Sequence, residues 1–205
     1  MIKLYSLQGD LQGSKVLLTA NFLGIQVDAI NFSEKDLSST EFLKKSPFGT
    51  VPLIDTESGP LTEINSILRY LARQAEGKGL RTYGKDTFES SKIDAWLDWE
   101  LANLTPLVKL SKSKSGEIGA TLESHLKTLD NHLLHNSFLV LSSLSIADLS
   151  LILTLTAIVK NLQEPEFKKR FPSISRWAMF ITSQEPWKTV VEDFKGEGVA
   201  MIETK

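Results

Sequence analysis

The hydrophobic pattern of this chain changes period near residue 75. Before it, short alternating runs are interleaved with short helical ones. Ile2-Lys3-Leu4-Tyr5 alternates as a half-buried strand does, and Gln12 to Leu23 places Val16, Leu17, Ala20 and Leu23 at helical spacing. Gly24 ends that helix, and Ile25 to Phe32, with its β-branched and apolar residues, predicts a second strand. A polar segment, Ser33 to Thr40, leads to a short helix over Glu41 to Lys45, closed by Ser46-Pro47-Phe48-Gly49. Val51 to Ile54 and Pro60 to Thr62, joined by the polar turn Asp55 to Gly59, predict a hairpin. Pro52 cannot donate to a ladder, so it belongs at a strand edge or start, or follows a cis peptide bond. Ile64, Ile67, Leu68 and Leu71 then form one face of an amphipathic helix, Ile64 to Gln74.

Beyond a linker without hydrophobic period, residues 76–86, every convincing segment is helical. Ile93, Trp96, Leu97, Leu101 and Leu104 make one such face, and Leu122, Leu126, Leu129 and Leu133 another. Between these helices Ser111 to Gly119 reads as an exposed loop. Leu144-Ser145-Ile146-Ala147-Asp148-Leu149 predicts a capped start: Ser145 caps, Asp148 reaches back to the Ser145 amide, and Leu144 staples onto Leu149. The apolar run Ile146 to Val159 that follows is too short for the roughly 20 residues that cross a bilayer, and reads as a buried helix. The expected architecture is an α/β half over residues 1–75 followed by an all-α bundle over 87–205.

Charge narrows the function classes. The 205 residues carry 23 Lys and Arg against 25 Asp and Glu, a net charge of −2, so no excess positive field exists to hold a nucleic-acid backbone or an anionic membrane. There is no cysteine, which removes disulfides, thiolate metal ligands and a cysteine nucleophile. The start of the chain shows no apolar signal core, and a cytoplasmic protein is expected. Neither a dinucleotide fingerprint, a phosphate-cradling loop nor a serine-hydrolase elbow occurs.

The remaining candidates for chemistry have plainer readings. His125, His132 and His135 fall on one expected helix, where the i, i+3 pair His132 and His135 could offer two ligands but lacks a nearby third, so they read as solvated surface residues rather than a metal site. Trp96 and Trp99, with Phe88, read as core or interface packing rather than a base-stacking platform. Asp98 and Glu100 are two apart on a helix and cannot face each other, so they read as solvated charges rather than an acid/base pair.

Taken together, the strand and helix order, Val51-Pro52, the run Thr62-Glu63-Ile64-Asn65-Ser66-Ile67 and the capped buried helix resemble the glutathione-transferase superfamily from end to end. That resemblance implies a thioredoxin-like N-terminal domain and an all-α C-terminal bundle. It also implies a cis Val51–Pro52 bond and glutathione contacts from Val51, Pro52 and Glu63. Ile64 stands where the family carries a serine, and offers no hydroxyl to the peptide's carboxylate. Asp10 stands where the serine-type classes place the hydroxyl that stabilises the thiolate, and a carboxylate there would repel one. Tyr5 is the remaining catalytic candidate, at the position of the tyrosine-type phenol, with Ser6 second; the plain alternative for Tyr5 is an ordinary half-buried strand residue.

The C-terminal third narrows the resemblance. Glu164-Pro165-Glu166-Phe167, Arg170-Phe171-Pro172, Ser175-Arg176-Trp177 and Gln184-Glu185-Pro186-Trp187, ending near Asp193-Phe194-Lys195, are similar to the amino-terminal domain of elongation factor 1B gamma subunits. The same residues make sense as packing devices, with Pro172 and Pro186 opening helices and Trp177 filling a core. The resemblance implies a non-catalytic scaffold that anchors the nucleotide-exchange subunits of the elongation factor 1 complex, without a cofactor, and a homodimer formed through Ile64–Gln74 and the helix of Trp96 and Trp99. Two further readings stay open: a glutathione transferase acting on electrophiles, and a transferase-like scaffold of an aminoacyl-tRNA synthetase complex.

Overall fold

The computed structural model describes residues 1–76, 81–111, 118–140, 142–159 and 161–193. Residues 77–80 of the expected linker, 112–117 of the expected loop and the Phe194-Lys195 end of the C-terminal motif lie outside them.

The first half is built on a four-stranded mixed sheet. Strand β1 (Ile2–Leu7) leads to helix α1 (Leu11–Phe22) and strand β2 (Val27–Phe32). A 3-10 turn (Asp36–Ser38) and helix α2 (Thr40–Lys45) follow, then β3 (Leu53–Thr56), β4 (Gly59–Thr62) and helix α3 (Ile64–Glu76). The strand order is β2-β1-β3-β4, with β1 parallel to β2 and the other two pairings antiparallel. Alternation along β1 divides its side chains: Leu4 and Ser6 are buried, Ser6 against Gly13 of α1, while Tyr5 turns to Phe42 of α2.

Three of the boundaries that differ from the sequence reading have plain local reasons. Helix α1 starts earlier, because Asp10 caps it by accepting a 2.9 Å hydrogen bond from the Gly13 amide. Strand β3 starts after Pro52 rather than at Val51, since proline brings no N–H to the ladder. Helix α3 runs on to Glu76, because Ala75 is fully buried and extends the apolar face of Ile67, Leu68 and Leu71.

The second half is helical among the described residues: α4 (Thr87–Asn103), α5 (Thr105–Ser111), α6 (Ile118–Leu134), α7 (Ile146–Ile158), α8 (Pro165–Arg170), α9 (Pro172–Thr182) and α10 (Glu185–Asp193). Helix α7 is buried along Ile146 to Thr156, as an all-round apolar helix must be, and packs against α1, α4, α5 and α9. Its start carries the expected capping box. Ser145 N–H donates to Asp148 Oδ2 at 2.9 Å, and the Ser145 hydroxyl accepts from the Asp148 amide. Asp148 does more than cap: its Oδ1 accepts from Leu139 N at 3.0 Å and from the Trp177 indole at 2.8 Å, tying α7 to α9. Burial holds the Asp148 carboxyl above the usual range, with these hydrogen bonds pulling the other way.

Segment 81–86 is packed against both halves. Thr82 C=O accepts from Ile146 N–H at 3.0 Å, and buried Tyr83 donates its hydroxyl to Asp94, the carboxylate that Arg69 of α3 also engages at 2.6 Å. No helix of the described residues is long and apolar enough to cross a membrane.

Two expectations about charged and aromatic residues are corrected. Glu100 is not solvated: it is 1% exposed and bound to Lys15, because its spacing from Ile93, Leu97 and Leu104 puts it on the buried stripe of α4. His125 and His132 are half-buried, with His132 4.7 Å from Trp96 and His125 5.6 Å from Trp99, so both rings serve the α4–α6 contact; His135 is exposed. Among the described residues no cluster of potential metal ligands exists. Phe88 is exposed, and takes no part in that aromatic contact.

Candidate functional site

Pairing register gathers the sequence-predicted residues. Tyr5 on β1 faces Leu53 on β3, and Leu53 faces Thr62 on β4. One step further along each strand lie Ser6, Pro52 and Glu63, so the end of β1, the start of β3 and the end of β4 share one end of the sheet. Helix α1 starts there too, with Asp10 as its cap.

The backbone at this end is unusual twice. The Val51–Pro52 bond is cis, as the resemblance implied. Glu63 has φ of 68°, a left-handed conformation that L side chains avoid and that concentrates at functional positions. Its carbonyl accepts the first helical bond of α3, from Ile67 N–H at 3.0 Å, while its side chain is exposed and pairs with no described residue. Val51 is half-buried and Pro52 buried, so Glu63 presents the one free charged group of the three.

The hydroxyl candidates are dispersed. Ser6 is 3% exposed and lies under α1, where a Cβ on Gly13 would come within 2.7 Å of its own. Tyr5 is on the opposite face, its ring 5.0 Å from Phe32 in an edge contact and 6.5 Å from Phe42, with Lys45 Nζ 5.4 Å from its centroid. These side chains, with Glu41, border an open cavity of about 250 Å³, and Lys45 also pairs with Asp55. Asp10 has one carboxylate oxygen committed to the Gly13 amide. Desolvation raises its pKa, against the pull of the Gly13 and Gln12 amides and of Lys15. Ile64 is 5% exposed and belongs to the core, so the position where the family has serine contributes packing.

The polar centre that sequence reasoning missed is at the junction of the two halves. Lys15 of α1 meets both Glu100 oxygens of α4, at 3.0 and 2.9 Å. Hydroxyls of Thr105, Ser150 and Thr154 complete the shell at 2.6, 3.0 and 2.7 Å. Burial pushes the Lys15 ammonium down, and Glu100 opposes that shift. The signal was present in the spacing, since Leu11, Lys15 and Leu18 fall on one face just as Leu97, Glu100 and Leu104 do.

Comparison with known proteins follows the same geometry. Residues 4–79 match the glutathione S-transferase N-terminal domain. Over the whole fold, a mutant of poplar glutathione transferase F1 superposes with a TM-score of 0.80, at 25% identity, covering 95% of this chain and 98% of the poplar chain. The chain has the glutathione-transferase fold, with a match to that family's N-terminal domain over its first half. Along its length, a rice (Oryza sativa subsp. japonica) protein named Elongation factor 1-gamma 1 is 29% identical over 98% of this chain and 51% of its own length. An Arabidopsis thaliana protein named Probable elongation factor 1-gamma 2 is 27% identical over 98% of this chain and 52% of its own length. The chain thus spans about half the length of the curated relatives it matches. At the sheet end, then, stand a cis Val51–Pro52 bond and a left-handed Glu63, with Asp10 spent as a helix cap and Ile64 in the core.

Proposed function

We propose that this chain is the transferase-like domain of an elongation factor 1 gamma subunit, a non-catalytic cytoplasmic scaffold that anchors guanine-nucleotide-exchange subunits in protein synthesis. The likeness to proteins of that name along 98% of the chain supports the assignment. One observation favours a scaffold over an enzyme: Asp10, where a thiolate-stabilising hydroxyl would stand, is an acceptor committed to capping α1. An ionised carboxylate has no proton to donate to a thiolate. A scaffold works through a stable outer surface, which the two tightly joined halves provide, and a homodimer through α3 and α4 would extend it.

A second reading has its own support. The cis Val51–Pro52 bond and Glu63 at one sheet end are suited to bind glutathione through main-chain and carboxylate contacts, with Tyr5 as the phenol of a transferase. Calorimetric titration with reduced glutathione, followed by a chloro-dinitrobenzene conjugation assay on the same sample, separates the two. The scaffold reading expects no turnover, together with co-purification of an added exchange-factor subunit. Turnover abolished by Tyr5→Phe would make the chain an enzyme, and co-purification with an aminoacyl-tRNA synthetase instead would move the scaffold to that complex.

A further inference from the structure

The edge strand β2 borders a cavity of about 370 Å³ enclosed by α1 and α10, on the face of the sheet away from Tyr5. Gln8, Asn21 and Asn31 stand around its mouth, and Ser6, Leu17 and Val190 are among the residues beneath. Among the described residues that line it, none is charged. The three amide side chains are exposed and form no hydrogen bond to a described residue, so each retains a donor and an acceptor for something else. Strand β2 pairs with β1 alone among the described strands. Alternate residues of an edge strand turn N–H and C=O outward, and here no described residue takes them up. The cavity and this open edge are adjacent, since Val27, Ala29 and Asn31 alternate along β2 onto the cavity face.

We infer that this cavity and edge form a binding site for an extended, uncharged peptide segment, which adds to β2 as a further strand and seats a side chain in the cavity. Main-chain pairing supplies the affinity and the cavity supplies the selection, the division of labour in strand addition generally. The amides suit a peptide because each can pair with a main-chain N–H and C=O at once, and a charge-free lining excludes acidic or basic side chains from the pocket. A free phosphate or a nucleic-acid backbone would find no cation in it. The inference uses only β2 and its neighbours, so it is independent of the elongation-factor reading.

The test is an NMR titration of the ¹⁵N-labelled full chain with the capped peptide acetyl-Thr-Val-Thr-Val-Thr-Val-amide. The peptide with glutamate in place of valine serves as the comparison. Expected are saturable shifts confined to β2, the Asn21 and Asn31 side chains and Thr189, with a Kd of about 1 mM or below. The glutamate peptide should bind at least about tenfold more weakly. Ala29→Phe, which fills the cavity, should weaken binding by about tenfold with an unchanged thermal midpoint; Thr189→Lys, on the exposed surface of α10, serves if that variant is unstable. Shifts that do not saturate, that scatter over the molecule or that ignore both variants would overturn the site. So would protection from hydrogen exchange, in the free chain, of the outward-facing β2 amides that do not pair with β1, which would place residues 194–205 or, if protection rises with concentration, a second copy on that edge.

Discussion

Lys15 and Glu100, 85 residues apart, form a bidentate ion pair with side-chain exposures of 0% and 1%. The pair joins α1 of the thioredoxin-like half to α4 of the helical half, and the hydroxyls of Thr105, Ser150 and Thr154 satisfy what Lys15 leaves open on the carboxylate. A buried pair of this kind adds little net stability over a well-packed apolar pair, yet removing one partner strands a charge. It ties α1 to α4 directly and, through Ser150 and Thr154 on the same carboxylate, to α7.

The expected outcome is asymmetric. Lys15→Met should destabilise the fold by about 3–5 kcal/mol, whereas Lys15→Met with Glu100→Leu should cost less than that single change. Urea unfolding of the wild type, Lys15→Met, Glu100→Leu and the double variant measures it. Additive costs would mean that the two charges act independently.

Tyr83 gives a pH signature. Its hydroxyl donates to Asp94 at 2.8 Å, and burial, aided by that carboxylate, raises the phenol above its ordinary value of 10.0. Between the ordinary and the raised values, the folded state holds a proton that the unfolded state has released. Stability from this group is therefore fully present below the unfolded pKa and falls as pH rises through the folded one. Unfolding midpoints should decline with pH in that alkaline window, and Tyr83→Phe should flatten the decline. A slope unchanged in the variant would assign it to another group.

Asp148 holds a cap, a loop and an indole at once. Asp148→Ala leaves the Ser145 and Leu139 amides and Trp177 Nε1 without their acceptor, which should cost at least about 3 kcal/mol and lower Tm by roughly 2–4 °C for each. Trp177→Phe removes only one of the three and should cost less. Calorimetry on both proteins gives the order, and equal losses would show that the indole contact dominates.

Local chemistry was legible in the sequence, and distant pairing was not. The Ser145–Asp148 box, the prolines that open α9 and α10, and the hairpin with Pro52 kept off its ladder all depend on residues a few positions apart. Glu100 was misread because its spacing was weighed against Asp98, two positions away, instead of against Leu97 and Leu104 on its own face. Its partner lies in another helix, and periodicity on α4 alone does not name Lys15. His125 and His132 were misread for the same reason, since their tryptophan partners are on α4 and not on α6. At the sheet end, Val51, Pro52 and Glu63 come together through strand register, and Asp10 was legible as a helix cap had α1 been started one residue earlier.

The contact of Ser6 with Gly13 supports a last prediction. Alanine is normally better than glycine in a helix by roughly 1 kcal/mol. At position 13 the added Cβ would stand 2.7 Å from Ser6 Cβ and 3.0 Å from its hydroxyl oxygen, both under α1, so Gly13→Ala should destabilise by about 1–3 kcal/mol. Ser6→Ala should not rescue it, because the nearest clashing atom remains. Ser6→Gly removes both atoms, and combining it with Gly13→Ala should cost less than the sum of the two single changes. Denaturant unfolding of the set decides this. If Ser6→Ala rescues as well as Ser6→Gly, the hydroxyl rather than the close backbone approach sets the distance between α1 and β1.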